Sequence, residues 1–257
     1  MNIIVRIYVV IVCVILIAST GVAQVNIEKF RSVERNKGSS GYVELDLSSR
    51  SGNVDITELS MGCRSDYTWE TMNSFVIVKG DYGWSESKRF SDEALAHMRH
   101  VFRTDMALQP EIFLQVEYNK KRLLLYRDLL GSGLRMRLLE RNHWKLNWGT
   151  ALMLEHEKHD IEVRDDKDNE TNLVRWSNYL TTSLIVSESI AWTSTNYIQP
   201  DIRNFGDVRI LCDTSLEVGL GRQLALVVNF LLRYDSEPLV GVESTDTNLD
   251  IGFAYRF

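Results

Sequence analysis

From residue 41 to its last residue the chain alternates between apolar and polar positions. In the clearest stretch Val208, Ile210, Cys212, Thr214, Leu216, Val218 and Leu220 share one phase, and Arg209, Asp213, Ser215 and Glu217 the other. The next run sets Leu224, Leu226, Val228, Phe230, Leu232 and Tyr234 against Ala225, Asn229 and Arg233. Earlier runs repeat the rule: Ile112, Leu114, Val116 and Tyr118 against Glu111, Gln115, Glu117 and Asn119, then Leu134, Met136 and Leu138 against Arg135 and Arg137. Trp144, Leu146, Trp148, Thr150, Leu152 and Leu154 likewise oppose Lys145, Asn147, Met153 and Glu155. A period of two places the two sets on opposite faces of an extended strand. Strands of this kind, greasy on one face and charged on the other, are stable in lipid when the sheet closes on itself, because closure leaves no backbone edge to hydrate. The pattern therefore predicts an all-β, transmembrane, antiparallel up-and-down β-barrel over residues 41–257, with about twelve strands, an even number as in single-chain bacterial barrels. Residues 92–102 fit least well. Ala94, Ala96 and Met98 make a poor outer face, and both a strand and a short helix remain open there.

The connections and the aromatic residues add a direction. Short connections are expected at 66–68, 140–143, 187–189 and 219–223, and long ones at 80–91, 120–131, 156–171 and 236–245. Outer-membrane barrels have short periplasmic turns and longer external loops. Counting back from a periplasmic last strand puts every long connection outside. Tyr67, Trp69, Trp144, Trp192, Tyr255 and Phe257 then fall near one interface, and Tyr118, Trp176, Tyr197 and Tyr234 near the other, as two aromatic girdles would.

The ends of the chain fit this plan. Leu249, Ile251, Phe253, Tyr255 and Phe257 alternate with small or polar residues up to a final aromatic. This resembles the signal by which barrel-assembly machinery recognises outer-membrane barrels. Residues 1–23 carry Arg6, an apolar run and then Gly21-Val22-Ala23, which reads as a secretory signal peptide with Gln24 as the mature start. Cys13 lies inside the apolar run, where a lipoprotein cysteine would not. Residues 24–40 are polar and read as a periplasmic lead-in. The expected location is the bacterial outer membrane, with outer-membrane lipid as the partner.

Composition narrows the roles. A formal charge of −6 and a pI near 5.5 argue against a nucleic-acid partner, which requires a basic footprint. Cys63 and Cys212 remain after signal cleavage, both on apolar phases, as small hydrophobes would be; the compartment also permits a disulfide. Only three prolines interrupt the chain, which suits long ladders.

Two local motifs, Ser51-Gly52-Asn53-Val54-Asp55 and Arg233-Tyr234-Asp235-Ser236-Glu237-Pro238, precede Thr245-Asp246-Thr247 and the closing Tyr255-Arg256-Phe257. In this order the chain from residue 41 onward resembles a family of bacterial outer-membrane proteins described as salt-induced and otherwise catalogued as a domain of unknown function. The resemblance implies an outer-membrane β-barrel and transfers no substrate or catalytic residue. In physical terms Ser51-Gly52-Asn53 suits a tight hairpin, and Arg233 and Asp235 point inward, where they can pair with other charges near the external rim.

Candidate chemistry lies in the lumen. The alternation places Glu111, Glu117, Arg135, Arg137, Lys145, Glu155, Arg209, Asp213, Glu217, Arg233, Asp250 and Arg256 there. Such charges either pair across a filled interior or line a narrow aqueous path selecting small solutes. His97 and His100 would diverge on a strand. His156 and His159, with Glu155, Glu157 and Asp160, could ligate a cation or form a solvated loop edge. Ser183 and Ser194 are mid-strand serines with no histidine expected at matching depth, so a hydrolase of lipid or peptide at the external rim is the alternative reading rather than the main one. A third reading has the long loops contact a partner. No cofactor or metal is implied. The leading expectation is a structural or stress-related envelope barrel, or one passing small solutes narrowly.

Overall fold

The computed structural model describes residues 37–50, 56–85, 88–102, 104–160, 169–239 and 241–256. The expected signal peptide, the Ser51-Gly52-Asn53 motif, the charged run after Asp160 and Phe257 lie outside these residues. Among those described, twelve strands form one closed barrel in which each strand pairs antiparallel with its chain neighbours. They are β1 (Gly38–Arg50), β2 (Ile56–Thr68), β3 (Met72–Ser85), β4 (Lys88–Phe102), β5 (Leu108–Asn119), β6 (Leu124–Arg141), β7 (Trp144–His159), β8 (Glu170–Ser187), β9 (Ile190–Pro200), β10 (Val208–Gly219), β11 (Leu224–Asp235) and β12 (Thr245–Arg256). β12 returns to pair with β1. The shortest strand has 11 residues and the longest 18, against the roughly 9–11 that a tilted strand needs to cross the hydrocarbon.

The barrel is inverted relative to a water-soluble protein. Leu114, Leu130, Leu152, Leu154, Ile198 and Phe253 are exposed on the outside, while Arg64, Glu111, Arg127, Glu155 and Arg175 are buried inside. A protein surface of contiguous aliphatic side chains is stable only against lipid. One end of the cylinder holds Gly38 and Arg256 and is here called the terminal end. The other, the loop end, carries the connections at 160–169, 201–207 and 236–244.

Several expectations need correction. Residues 92–102, where alternation leaves strand and helix both open, belong to a strand, with Leu95, His97, Arg99 and Val101 buried inside. The ladder also runs further toward the loop end than alternation showed. β3 and β4 continue to Ser85 and Lys88, and β5 and β6 are joined by only 120–123. That turn is compact because Asn119 Oδ1 accepts from the Arg122 amide at 3.1 Å and Leu123 adopts a left-handed φ of 55°. The turn expected at 66–68 is displaced to 69–71, closed by Trp69 N donating to Met72 O at 2.9 Å. β1 begins at Gly38, because backbone pairing of Gly38–Gly41 with β2 needs no side-chain period. Tyr197, expected in a girdle, is buried in the interior against Tyr179, whereas Trp144, Trp176 and Tyr255 do face outward.

Candidate functional site

The interior is built in tiers. Around the middle runs a belt of stacked side chains, one strand handing over to the next. The Arg64 guanidinium lies 3.8 Å from the Phe75 ring centroid, and His97 stacks between Phe75 and Phe113 at 6.1 and 5.9 Å. Arg99 covers Phe113 at 4.7 Å. The belt continues through Leu129 and Met153, then Tyr179, Tyr197 and Leu211, with Tyr42 and Leu231 completing it.

Glycines make room for these rings. Phe113 is the register partner of Gly131, and Tyr179 that of Gly149. A Cβ on either glycine would lie 2.1 Å from the facing ring, so each ring rests flat on bare backbone. Lying there lets Tyr179 Oη reach across to donate to Glu111 Oε1 at 3.2 Å, where Arg99 Nη1 also donates at 3.0 Å.

Above the belt, toward the loop end, three arginines share two glutamates. Glu155 accepts from Arg175 Nε at 2.8 Å, Arg209 Nη1 at 3.0 Å and Arg127 Nε at 3.1 Å, with Arg127 Nη2 also bonded to it. Glu157 takes both Nη groups of Arg209, at 2.7 and 3.0 Å, and lies 3.1 Å from Arg127 Nε. The outer members are Glu117 on Arg127 at 3.1 Å, Asp207 on Arg175 at 3.0 and 3.1 Å, and Asp235 on Arg209 at 3.0 Å. Arg127, Arg175, Arg209, Glu155 and Glu157 each have at least two opposite partners, which a group removed from water requires. Between network and belt lies a 30 Å³ void, about one water's share of liquid volume. Network and belt together fill the β5–β10 side of the barrel at this depth.

Two larger cavities lie at and below the loop end. A 300 Å³ vestibule sits above the network, and the Arg233–Pro238 motif forms part of its wall. The motif staples two loops together. Ser236 Oγ accepts from Val208 N at 2.8 Å and donates to Gly206 O at 2.9 Å, and Asn204 Nδ2 donates to Glu237 Oε1 at 3.3 Å. A second cavity of 110 Å³ lies deeper, on the side of β1 and β12; Arg233 borders both.

At the terminal end the 104–107 turn is tied to the neighbouring strands. Thr104 is buried there, and its carbonyl accepts from Arg137 Nη2 at 2.9 Å and from Gln109 Nε2 at 3.3 Å, while Gln109 Oε1 holds Arg135 at 3.1 Å.

Of the twelve residues assigned to the lumen from sequence, Glu117, Glu155 and Arg209 meet in the upper network, and Glu111 joins Arg99 below it. Asp213, Arg233 and Asp250, with Glu117, border the 110 Å³ cavity. Arg135 and Arg137 gather at the terminal turn, and Lys145 sits at that rim, 3.9 Å from Glu140. Glu217 is half-buried on the inward phase of β10, and the Arg256 side chain lies outside the described residues. Of the residues expected to form the assembly signal, Ile251, Phe253 and Tyr255 are exposed outward, and Leu249 shares their phase.

The sequence reading passed over Arg127 and Arg175 of the network and Arg64 and Arg99 of the belt, and named Glu157 only beside the loop histidines. Arg127 and Glu157 fell within presumed loops, yet each extends by even steps the phase of Arg135 and of Glu155. Arg64 and Arg99 sit where neighbouring strands turn apolar residues such as Phe75 and Ile77 inward, so both faces read as greasy.

The histidines separate. His156 faces outward, within 3.0 Å of Asn172 Oδ1 and 3.2 Å of Tyr126 Oη, while inward-facing His159 lies 3.5 Å from Glu157. Among the described residues no three His, Cys, Asp or Glu side chains converge as metal ligands would. Cys63 and Cys212, on β2 and β10, are free thiols. Ser194 bonds Thr214 at 3.0 Å and Ser183 accepts from Thr193 at 3.4 Å. A serine that does meet an imidazole is Ser74, 2.6 Å from His100 Nδ1 on the outer face. Both of its strands are paired on either side, so their amides are committed to the ladder rather than poised for an oxyanion.

The model of a family described as proteins of unknown function, DUF481, matches residues 43–257. No curated protein sequence matches the chain. Among solved structures the chain is similar to the translocator domain of the autotransporter NalP from Neisseria meningitidis. There the TM-score is 0.52 and the identity 10%, over 90% of this chain and 91% of that one. It is also similar to the NanC porin, with a TM-score of 0.50 and 6% identity, over 85% of this chain and all of that one, 100%. At these identities the likeness is one of fold: a closed barrel of the outer-membrane type.

Proposed function

We propose that this chain, which belongs to the DUF481 family of proteins of unknown function, is an envelope barrel of the bacterial outer membrane. In this reading it receives small polar solutes in an external vestibule and passes them only narrowly. It is exported by the signal peptide at residues 1–23. The assembly machinery inserts it through Leu249, Ile251, Phe253, Tyr255 and Phe257, with the loop end outward. The observation that carries the reading is the tiered interior. A 300 Å³ vestibule is walled by Glu157, Arg175 and Arg209 of the network, and between that network and the belt lies a void that holds about one water. Solutes of either charge find partners in a wall that alternates guanidinium and carboxylate. Passage beyond it requires the ion pairs to part, so the network acts as a closure rather than as a selectivity ring around open water.

Planar-bilayer recording of the purified full chain tests this. The wild type should give rare, small conductance steps, Glu155→Ala should enlarge or prolong them, and Arg209→Glu should change their ion preference. Electrical silence of all three proteins across salts would remove solute passage and leave a purely structural barrel.

A further inference from the structure

The sheet is not equally closed all the way round. β1 and β12 share register over four residues each, from Tyr42↔Arg256 to Leu45↔Phe253, and the ladder between them stops there. β1 pairs with β2 over its whole length, to Arg50↔Ile56, and β12 with β11 as far as Thr245. Both strands therefore continue toward the loop end, but not as partners of each other. The same register, continued, would put Leu47 opposite Ile251. Instead, those two side chains are 71% and 63% exposed, against 58% for Leu130 and 57% for Leu152 on fully laddered strands. Leu45, Leu47, Ile251 and Phe253 are all outward and apolar, so the strands part within the lipid-facing band. Where they part, the Asp46 carboxylate lies over bare backbone: a Cβ on Gly252 would be 1.0 Å from Asp46 Oδ1.

The 110 Å³ cavity lies directly behind this seam, with Glu44 and Asp46 of β1 and Asp250 of β12 in its wall. Asp81, Glu93, Glu117 and Asp213 add to the acidic side, against Lys79 and Arg233. The cavity corresponds to about four waters' share of liquid volume, or one compact ammonium group. Below it the belt closes the way down the axis.

We propose that the β1–β12 seam is a lateral portal between the membrane and this cavity, taking an amphiphile whose cationic head enters the cavity while its alkyl tail stays in the lipid. Two facts decide the direction and the charge. Sheet edges facing hydrocarbon are costly unless something occupies or zips them, and a wall in which acidic side chains outnumber basic ones among the described residues favours a positive head group. The portal goes beyond the vestibule reading and does not depend on it; electrical silence in bilayers would leave it standing.

The test uses the full chain in lipid vesicles, with Cys63→Ser and Cys212→Ser as background. Those backbone amides of residues 46–50 that point away from β2, toward β12, should exchange hydrogen roughly a hundredfold faster than those of β6 and β7; equal protection means a zipped seam and overturns the portal. A nitroxide-headed alkylammonium should then show an immobilised spectral component that the alkyl sulfate of equal length does not. Equal immobilisation of the two, or of neither, overturns the proposed occupant. Finally, a bulky maleimide on Leu47→Cys should cut the immobilised component about tenfold, while the same label on Leu152→Cys, remote from the seam, spares it. A loss at both sites or at neither refutes entry through the seam.

Discussion

Glu155 is where the account of the interior is most exposed to test. Its carboxylate has no solvent exposure and accepts from Arg175 at 2.8 Å, Arg209 at 3.0 Å and Arg127 at 3.1 Å. In Glu155→Ala these three guanidiniums remain clustered without the anion they surround. Removing one member of a buried ion pair costs about 3–5 kcal/mol, most of it the penalty of the charge left behind. The lower end applies, because every arginine keeps a second acid: Asp207 for Arg175, Glu157 and Asp235 for Arg209, Glu117 and Glu157 for Arg127. We therefore expect a loss of about 3 kcal/mol. Urea unfolding in vesicles, followed by tryptophan fluorescence, should show it as a lower midpoint at unchanged slope. Glu155→Gln keeps the volume but turns an amide NH₂ toward an arginine, so it should fall in the same range. Glu70→Ala supplies the contrast. Its pair with Lys37 is short, 2.6 Å, but 68% and 79% exposed, and its removal should leave the midpoint where it was. A loss below about 1 kcal/mol in Glu155→Ala would mean that water or other carboxylates already hold the arginines, and the network would no longer count as a closure.

Three further outcomes follow from the same geometry. Gly131→Ala should destabilise the barrel by about 1–3 kcal/mol, because the new methyl displaces the Phe113 ring from the backbone it lies on; wild-type stability in the same urea assay would show that the ring has room to move. Leu152→Arg, in the middle of the lipid-facing band, should cost about 2–4 kcal/mol and lower folding yield in vesicles. A mild effect there would place that face in water. Ser236→Ala removes both hydrogen bonds joining the 201–207 and 236–244 connections, a loss of about 2 kcal/mol at most; limited proteolysis should then cut these loops faster, and an unchanged cleavage pattern would assign the stapling to other contacts.

How much of this was legible beforehand depended on which forces act locally. Alternation is a property of consecutive residues, so β5, β7, β10 and β11 could be phased by reading Ile112 to Tyr234 against their polar neighbours, and antiparallel closure followed because lipid tolerates no open edge. The same rule failed in β3 and β4, where Phe75, Ile77 and Leu95 face inward beside Val76 and Val78 outward; with grease on both faces, period two carries no information. It failed again at Lys120–Arg122, where a basic run resembled the start of a long loop and hid the inward phase of Arg127.

The sequence alone thus determined that the chain would close into a greasy-skinned cylinder, and which side of most strands would meet the lipid. It could not determine which inward charges would meet. Glu155 and Arg209 are 54 positions apart and three strands away from each other around the wall. Their contact depends on strand stagger, on the glycines that let Tyr179 and Phe113 lie flat, and on where the ladder between β1 and β12 stops. Those are properties of the assembled sheet, because a side chain inside a barrel chooses among partners on every strand it can reach, and only the closed structure sets that reach.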